Sequence, residues 1–224
     1  MEKRYSRALG ALTEGEIAKL RSARAAVVGC GGIGGYVIEE LCRLGVGEIV
    51  AIDPDRFEET NLNRQLLATK DSIGQNKAHI AAQRAAQVNP EVKLFPITAA
   101  FSRENGRELL SGCGVVIDAL DSAAARRELA EVCAQQGLYL VHGAISGWQA
   151  QVSVLPPGSD AFSFMYPEGY DDAKAAPSLA FTPALAASIE VSQAIKLLLG
   201  RQASLSGKLL HIDLQSMEFN TVAL

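Results

Sequence analysis

The chain has no long apolar run. Nothing in its 224 residues approaches the roughly 18–20 uninterrupted apolar residues of a membrane-spanning helix. Its opening stretch, MEKRYSRALGALTEGEIAKL, lacks the apolar core of a signal peptide. These absences point to the cytoplasm and away from a membrane partner. There is no basic excess either: 21 Lys and Arg face 25 Asp and Glu, a net charge of −4. That balance argues against nucleic acid as the main partner, because neutralising phosphates needs a basic face. The four cysteines, Cys30, Cys42, Cys113 and Cys133, form no C-x-x-C pair, and no histidine stands at zinc-ligand spacing from them. No structural zinc is expected, and in a cytosolic chain the thiols read as free and partly buried. Internal repeats and low-complexity tracts are also missing.

What is present is an alternation of strands and helices. Apolar runs at 25–30, 47–53, 92–97, 115–120 and 138–145 read as strands. Between them, 36–45, 73–89 and 123–137 read as amphipathic helices, two of them ending at Gly45 and Gly137. A strand at 150–155 and a helix at 182–200 follow, the latter with Pro183 in its first turn. Two strands, 208–214 and 217–224, close the chain. The pattern implies an α/β, Rossmann-like fold: a mixed, mainly parallel sheet with helices on both faces and antiparallel closing strands. The whole of 1–224 reads as a single domain, with a helical arm at 1–23 and a long crossover loop at 156–182. A loop of that length in a compact domain is usually functional.

The stretch VVGCGGIGGYVIEELCRLGVGEIVAIDPD, 27–55, carries the first chemistry. Gly29, Gly31 and Gly34 make G-x-G-x-x-G between a strand and a helix, with Gly32 beside them. The first glycine permits the tight turn, the second lets backbone approach phosphate, and the third lets helix and strand pack closely. The helix start offers free N–H groups and a positive dipole end to an anion. Asp53 follows at the distance where an acid bonds ribose hydroxyls, about 20 residues on. Cys30 lies inside this turn, where its modification would affect nucleotide access.

The glycines do not decide between NAD and another nucleotide. The segment PDRFEETNLNRQLL that follows Asp53 does. Asn61, Arg64 and Gln65 lie where ligands bind in this fold, beyond the carboxyl ends of the strands, and Lys77 follows on the next helix. Arg64 as a planar fork and Lys77 as a mobile point charge suit two phosphate groups. Asp118 and Asp121 end a later strand, where one carboxylate could hold Mg²⁺ alongside phosphates and water. Two cations and an acid suit a triphosphate with its metal better than a nicotinamide dinucleotide. His142 reads as a packed, hydrogen-bonded histidine. Trp148 either lines a channel for a peptide tail or packs under the long loop.

These motifs resemble the ThiF/MoeB/HesA enzymes, relatives of the ubiquitin-activating enzymes, over most of the chain. RYSRAL (4–9) is similar to the family's R-Y-x-R-Q segment, GCGGIGG (29–35) to its glycine loop, DPDRFEETNLNRQ (53–65) to its D-x-D and S/T-N-L-x-R-Q motif, and DALDS (118–122) to D-x-x-D-N. The resemblance implies ATP-dependent adenylation of the C-terminal glycine of a small ubiquitin-like sulfur-carrier protein ending in Gly-Gly. It implies ATP and Mg²⁺ as cofactors, with Gly29, Gly31, Gly32, Gly34, Asp55, Thr60 and Gln65 around the nucleotide. It assigns Asp53 to ribose, Asn61, Arg64 and Lys77 to phosphates, and Asp121 to Mg²⁺. It sends Arg7 into the partner subunit's site in a homodimer. The chain departs from the pattern at Ser122, Ala8 and Ala150, in having no zinc-binding C-x-x-C pairs, and in having no cysteine in the crossover loop. Adenylation without an enzyme-bound thioester is therefore expected. Alternative readings are adenylation of a small or tRNA-attached carboxylate, an NAD-dependent oxidoreductase, and a non-catalytic carrier-binding module.

Overall fold

The computed structural model describes residues 3–167, 170 and 177–224. A short 3-10 turn and α1 (Glu14–Arg21) lead into β1 (Arg24–Val28), α2 (Gly32–Leu44) and β2 (Glu48–Ile52). Next come α3 (Lys77–Val88), β3 (Lys93–Ile97), α4 (Arg103–Leu109), β4 (Val115–Asp118) and α5 (Ala123–Gln136). The hairpin strands β5 (Leu140–Ser146) and β6 (Gln149–Leu155) precede α6 (Ala161–Met165) and α7 (Phe181–Leu198), and β7 (Lys208–Asp213) and β8 (Glu218–Ala223) end the chain.

All eight strands form one sheet in the order β3-β2-β1-β4-β5-β6-β7-β8. The first five run parallel and the last three join antiparallel. Between Arg24 at the start of β1 and Asp118 at the end of β4, these two central strands carry Ala, Val and Ile, because both of their faces are buried. Val27, Ile117 and Val141 face the layer of α2, α3 and α7, while Val28, Val116 and Leu140 face α5 and α6. This is the mixed, mainly parallel α/β sheet expected from the sequence.

Boundaries differ from the sequence reading for identifiable reasons. α2 starts four residues earlier than the apolar pattern suggested, since Gly32 to Gly35 already form its first turn. α3 starts at Lys77 rather than at 73, because the Asn76 side chain accepts the His79 N–H at 3.2 Å and caps the helix. The residues before it form a separate 3-10 turn, Lys70–Ser72, capped by Thr69. The short helices α4 and α6 had no signal of their own in the sequence. Within the crossover loop, 168–169 and 171–176 lie outside the described residues.

The N-terminal arm is pinned at the end of the sheet away from the glycine turn. The Tyr5 hydroxyl accepts from Asn89 Nδ2 at 2.8 Å, and Arg4 donates to Asn89 Oδ1 at 2.5 Å. Tyr5 also packs on Gly45, at the far end of α2 from Gly31. A helix of 13 residues separates the two ends by about 20 Å.

One core residue opposes the fold. Glu190, on α7, is fully buried, and neither carboxylate oxygen has a hydrogen-bond partner among the described residues. It fits only because β5 has Gly143 opposite, where a Cβ would stand 2.6 Å from the carboxyl carbon. Burial, and secondarily Asp118, push its pKa well above the ordinary 4.5. The native state therefore keeps a proton that the unfolded chain loses as pH rises past that ordinary value. Stability falls with rising pH over the interval up to the raised native value, by at most about 1.4 kcal/mol per pH unit. Glu190→Met is expected to stabilise the fold by about 1–3 kcal/mol, with a larger gain in Tm at pH 8 than at pH 5. Thermal unfolding at the two pH values checks this, and an equal shift at both would contradict it.

Candidate active site

The sheet changes winding direction between β1 and β4, and the loops after these two strands open a crevice there. The glycine turn after β1 sits hard against the turn after β4. Gly29 has φ +100°, and a Cβ on it would overlap the Ala119 carbonyl. A Cβ on Gly34 would overlap the Gly29 carbonyl. These two positions admit no side chain, which is why the glycines stand at that spacing. Gly31 and Gly32 have a different neighbourhood: their open faces look onto Gln65, and onto Pro183 and Arg64.

Asp53, at the end of β2, ties this turn to the next one. Its Oδ2 accepts the Cys30 N–H at 2.7 Å and its Oδ1 accepts the Asp55 N–H at 2.8 Å. Burial pushes its carboxyl above the ordinary range, while these N–H groups and Lys77 pull it down. Each oxygen keeps a further lone pair for a ligand hydroxyl. Asn76, which the sequence reading did not single out, donates to the carbonyls of Asp53, Pro54 and Asp55. It thereby holds the D-x-D turn against the start of α3. An Asn immediately before a helical pattern was the available signal.

Lys77 is largely buried and donates to Asp55 Oδ2 at 3.1 Å. The Asp55 side chain is 63% exposed, so this pair is weakly bound and the ammonium is available to an incoming phosphate. Arg64 donates to the Thr60 carbonyl and to Asn63 Oδ1, with its stem beside Gly32. Asn61 is buried and accepts the Glu58 N–H at 2.9 Å, and its Nδ2 makes no hydrogen bond among the described residues. The Gln65 Oε1 is buried without a partner among the described residues. Thr60 is exposed on the same 3-10 turn. A loop of open glycines, an unpaired amide oxygen, a free amide donor and two cations together suit a polyphosphate nucleotide.

The two acids after β4 separate cleanly. Asp118 is fully buried, and its Oδ2 lies 2.7 Å from His142 Nδ1. It is thus committed to His142 and the fold, which removes one of the two acids that the residues alone left open and leaves Asp121, the acid that the resemblance assigns to Mg²⁺. Asp121 is exposed, two residues beyond the Ala119 that packs on Gly29. The described residues contain no group of three or more His, Cys, Asp or Glu placed to hold a metal ion. A cation at Asp121 would take its remaining ligands from phosphate and water, as Mg²⁺ commonly does.

Arg7 is not brought to this crevice. It is exposed next to Tyr5, at the opposite end of α2. Cys30 is fully buried, so the expectation that its modification would reach the nucleotide is corrected: only its backbone N–H faces the loop's bonding. His142 is, as read from the sequence, packed and hydrogen-bonded. Trp148 is 46% exposed and stands 5.0 Å from the Phe181 ring at the start of α7. It does not pack under the loop as a buried residue. The sequence reading missed Arg126 and Tyr166, which surround His142 and had no motif to mark them.

The ThiF family matches residues 5–224. The SAMP-activating enzyme E1 of Haloferax volcanii is 36% identical over 209 residues, covering 91% of this chain and 77% of that protein. The sulfur carrier protein adenylyltransferase of Thermus thermophilus is 32% identical over 213 residues, covering 90% of this chain and 78% of that protein. Among solved structures, Escherichia coli MccB with MccA superposes with a TM-score of 0.87 at 20% identity, over 100% of this chain and 72% of that one; at that identity the likeness is one of fold. With the family's span over the whole sheet and its glycine loop, D-x-D turn and basic pair in one crevice, the chain belongs to the ThiF family and is an adenylyltransferase.

Proposed function

We propose that the chain adenylates the C-terminal glycine carboxylate of a small ubiquitin-like sulfur-carrier protein ending in Gly-Gly, using ATP and Mg²⁺. The observation that carries this reading is that Gln65 and Arg64 stand beside the open faces of Gly31 and Gly32, while Lys77 pairs with Asp55 at the D-x-D turn that Asp53 ties to the glycine turn. The relatives named for sulfur-carrier and SAMP activation support the choice of substrate.

The residues divide the work by position. Gly31 and Gly32 let the phosphate chain approach backbone N–H groups at the start of α2. Asp53, fixed by two N–H groups, orients the ribose. Asn61, Arg64 and Lys77 bind the phosphates and stabilise the charge that builds as a carboxylate oxygen attacks the α-phosphorus. The bond from that phosphorus to the bridging oxygen breaks, and pyrophosphate leaves. No general base is needed, because a C-terminal carboxylate is ionised at neutral pH. Asp121 would hold Mg²⁺, which neutralises phosphate charge when bound. Arg7 lies about 20 Å from its own crevice and acts in the crevice of a second copy.

Two outcomes are expected. ATP with Mg²⁺ binds more tightly than NAD or NADP in titration calorimetry. Carrier-dependent exchange of pyrophosphate into ATP falls about 100-fold or more in Arg64→Ala and in Lys77→Ala, the scale of losing one transition-state donor. Tighter binding of NAD than of Mg-ATP would sink the reading, and exchange that depends on tRNA instead of a carrier would favour the dehydratase alternative.

Arg7→Ala and Asp121→Ala chains, each inactive alone, are expected to recover partial activity when mixed, because some mixed dimers hold one intact site. No recovery, with subunit exchange shown separately, would count against action in trans.

The enzyme is expected to form no thioester with its carrier. All four cysteines are buried. Burial pushes the Cys42 and Cys133 thiols up to about 12, raises Cys113, and raises Cys30 well above the ordinary range, whereas an attacking thiol must ionise and be reachable. A reductant-sensitive enzyme–carrier band on denaturing gels, lost in one Cys→Ala variant, would overturn this.

A further inference from the structure

A buried polar circuit joins the crossover segment to the turn that carries Asp121. Tyr166, immediately after α6, is 4% exposed. Its hydroxyl accepts from Arg126 Nη1 at 2.9 Å and from Gln151 Nε2 at 2.8 Å, and lies 3.1 Å from His142 Nε2. The direction of that last bond follows from the far side of the ring. The Asp118 carboxylate only accepts, so His142 Nδ1 carries the proton. His142 Nε2 is then the acceptor, and the Tyr166 O–H donates to it. The tyrosine hydroxyl thus makes one donated and two accepted bonds, its full capacity.

The other end of the circuit grips a single residue. Asp118 Oδ1 accepts the Leu120 N–H at 3.0 Å. Arg126 Nη2 and Nε donate to the Leu120 carbonyl at 2.5 Å and 3.2 Å. That carbonyl belongs to the peptide bond that begins Asp121, so its plane sets the direction in which the Asp121 side chain leaves the backbone. Arg126 holds this plane with one edge of its guanidinium and the Tyr166 hydroxyl with the other. Arg127 adds a donation to the Tyr166 carbonyl at 3.3 Å. Neither Arg126 nor Tyr166 lies among the residues proposed to touch the nucleotide.

We propose that Arg126 and Tyr166 are positioning residues for Asp121, and that the Tyr166 hydroxyl couples the packing of residues 161–167 to divalent-cation binding at Asp121. This rests on the reading that Asp121 holds Mg²⁺ beside ATP. The Tyr166 hydroxyl holds one edge of the Arg126 guanidinium, and without that bond Arg126 and the Leu120–Asp121 peptide it grips are freer to move. Misplacing a reacting-site group by about 1 Å can cost on the order of 100-fold, so the loosened state is expected to be poorly active.

The test uses the full chain, ATP and Mg²⁺. Tyr166→Phe keeps the ring stacked on Phe162 and removes only the hydroxyl; Arg126→Lys keeps the charge but cannot bridge two acceptors. Val132→Ala, in the core on α5, is the control for general loss of stability. Titration calorimetry measures ATP affinity in EDTA and across a Mg²⁺ series. In Tyr166→Phe and Arg126→Lys, affinity in EDTA is expected to stay within two-fold of the wild type, while the Mg²⁺ concentration for half-maximal enhancement rises about ten-fold. Val132→Ala is expected to lower Tm without moving that concentration. Hydrogen exchange of 161–167 is expected to slow on Mg-ATP binding in the wild type and not in Tyr166→Phe. A lowered Tm in both circuit variants with unchanged Mg²⁺ dependence would overturn the proposal and leave the circuit purely structural. Asp121→Ala separates the two failures: if it keeps the wild-type Mg²⁺ dependence, the placement of the cation falls, and this proposal with it.

Discussion

Three backbone segments meet with nothing larger than a methyl group between them at the switch point of the sheet. The turn after β1, the start of α2 and the turn after β4 touch through Gly29, Gly34 and Ala119, and the glycine turn and Asp121 take their places from that contact. Close approach brings Asp121 to the glycine turn. It also lets one carboxylate, Asp53, reach the Cys30 and Asp55 N–H groups at once. A methyl group at Gly29 or Gly34 would wedge the turns apart, so the site's polar groups depend on a steric fact with no polarity of its own.

Charge is then distributed by depth. Asp118, fully buried, is committed to His142 and to the Leu120 N–H. Asp121, three residues on, faces solvent. Lys77 is buried along its stem and meets an exposed partner, Asp55. Asp118 is thus already paired by the fold, whereas Asp121 and the weak Lys77–Asp55 pair are left open to a ligand. Glu190 breaks this order: it is buried with no hydrogen-bond partner among the described residues, and neutrality is what makes it tolerable.

The glycine turn, the D-x-D turn and the cation pair were legible in the sequence because each rests on fixed spacing between residues whose chemistry admits few substitutes. The parallel core strands were legible because burial on both faces demands unbroken apolar runs. The roles of Asp118 and Asp121 were not, since the two acids differ only in which way the chain turns after β4. Arg126 and Tyr166 stand 40 residues apart, and their meeting depends on the path of the crossover segment, which no local pattern encodes. The start of α3 was misplaced because Ile73 and Asn76 pair with Phe57 and Arg56 instead of entering the helix, and that pairing is not local in sequence. α4 and α6, of 7 and 5 residues, are too short for periodicity to register.

The four thiols turn the molecule into its own gauge of breathing. Each is sealed in the core, so a thiol reagent reaches it only when the surrounding structure opens, and the reaction rate reports that opening. Their placement divides the protein: Cys30 and Cys42 sit in the α2 layer, Cys113 and Cys133 in the α5 layer. Mass-resolved labelling therefore distinguishes a protein that opens as one body from one whose two layers part from the sheet separately. With Cys30 inside the glycine turn, a bound nucleotide would show as slowed reaction at one sulfur ahead of the other three.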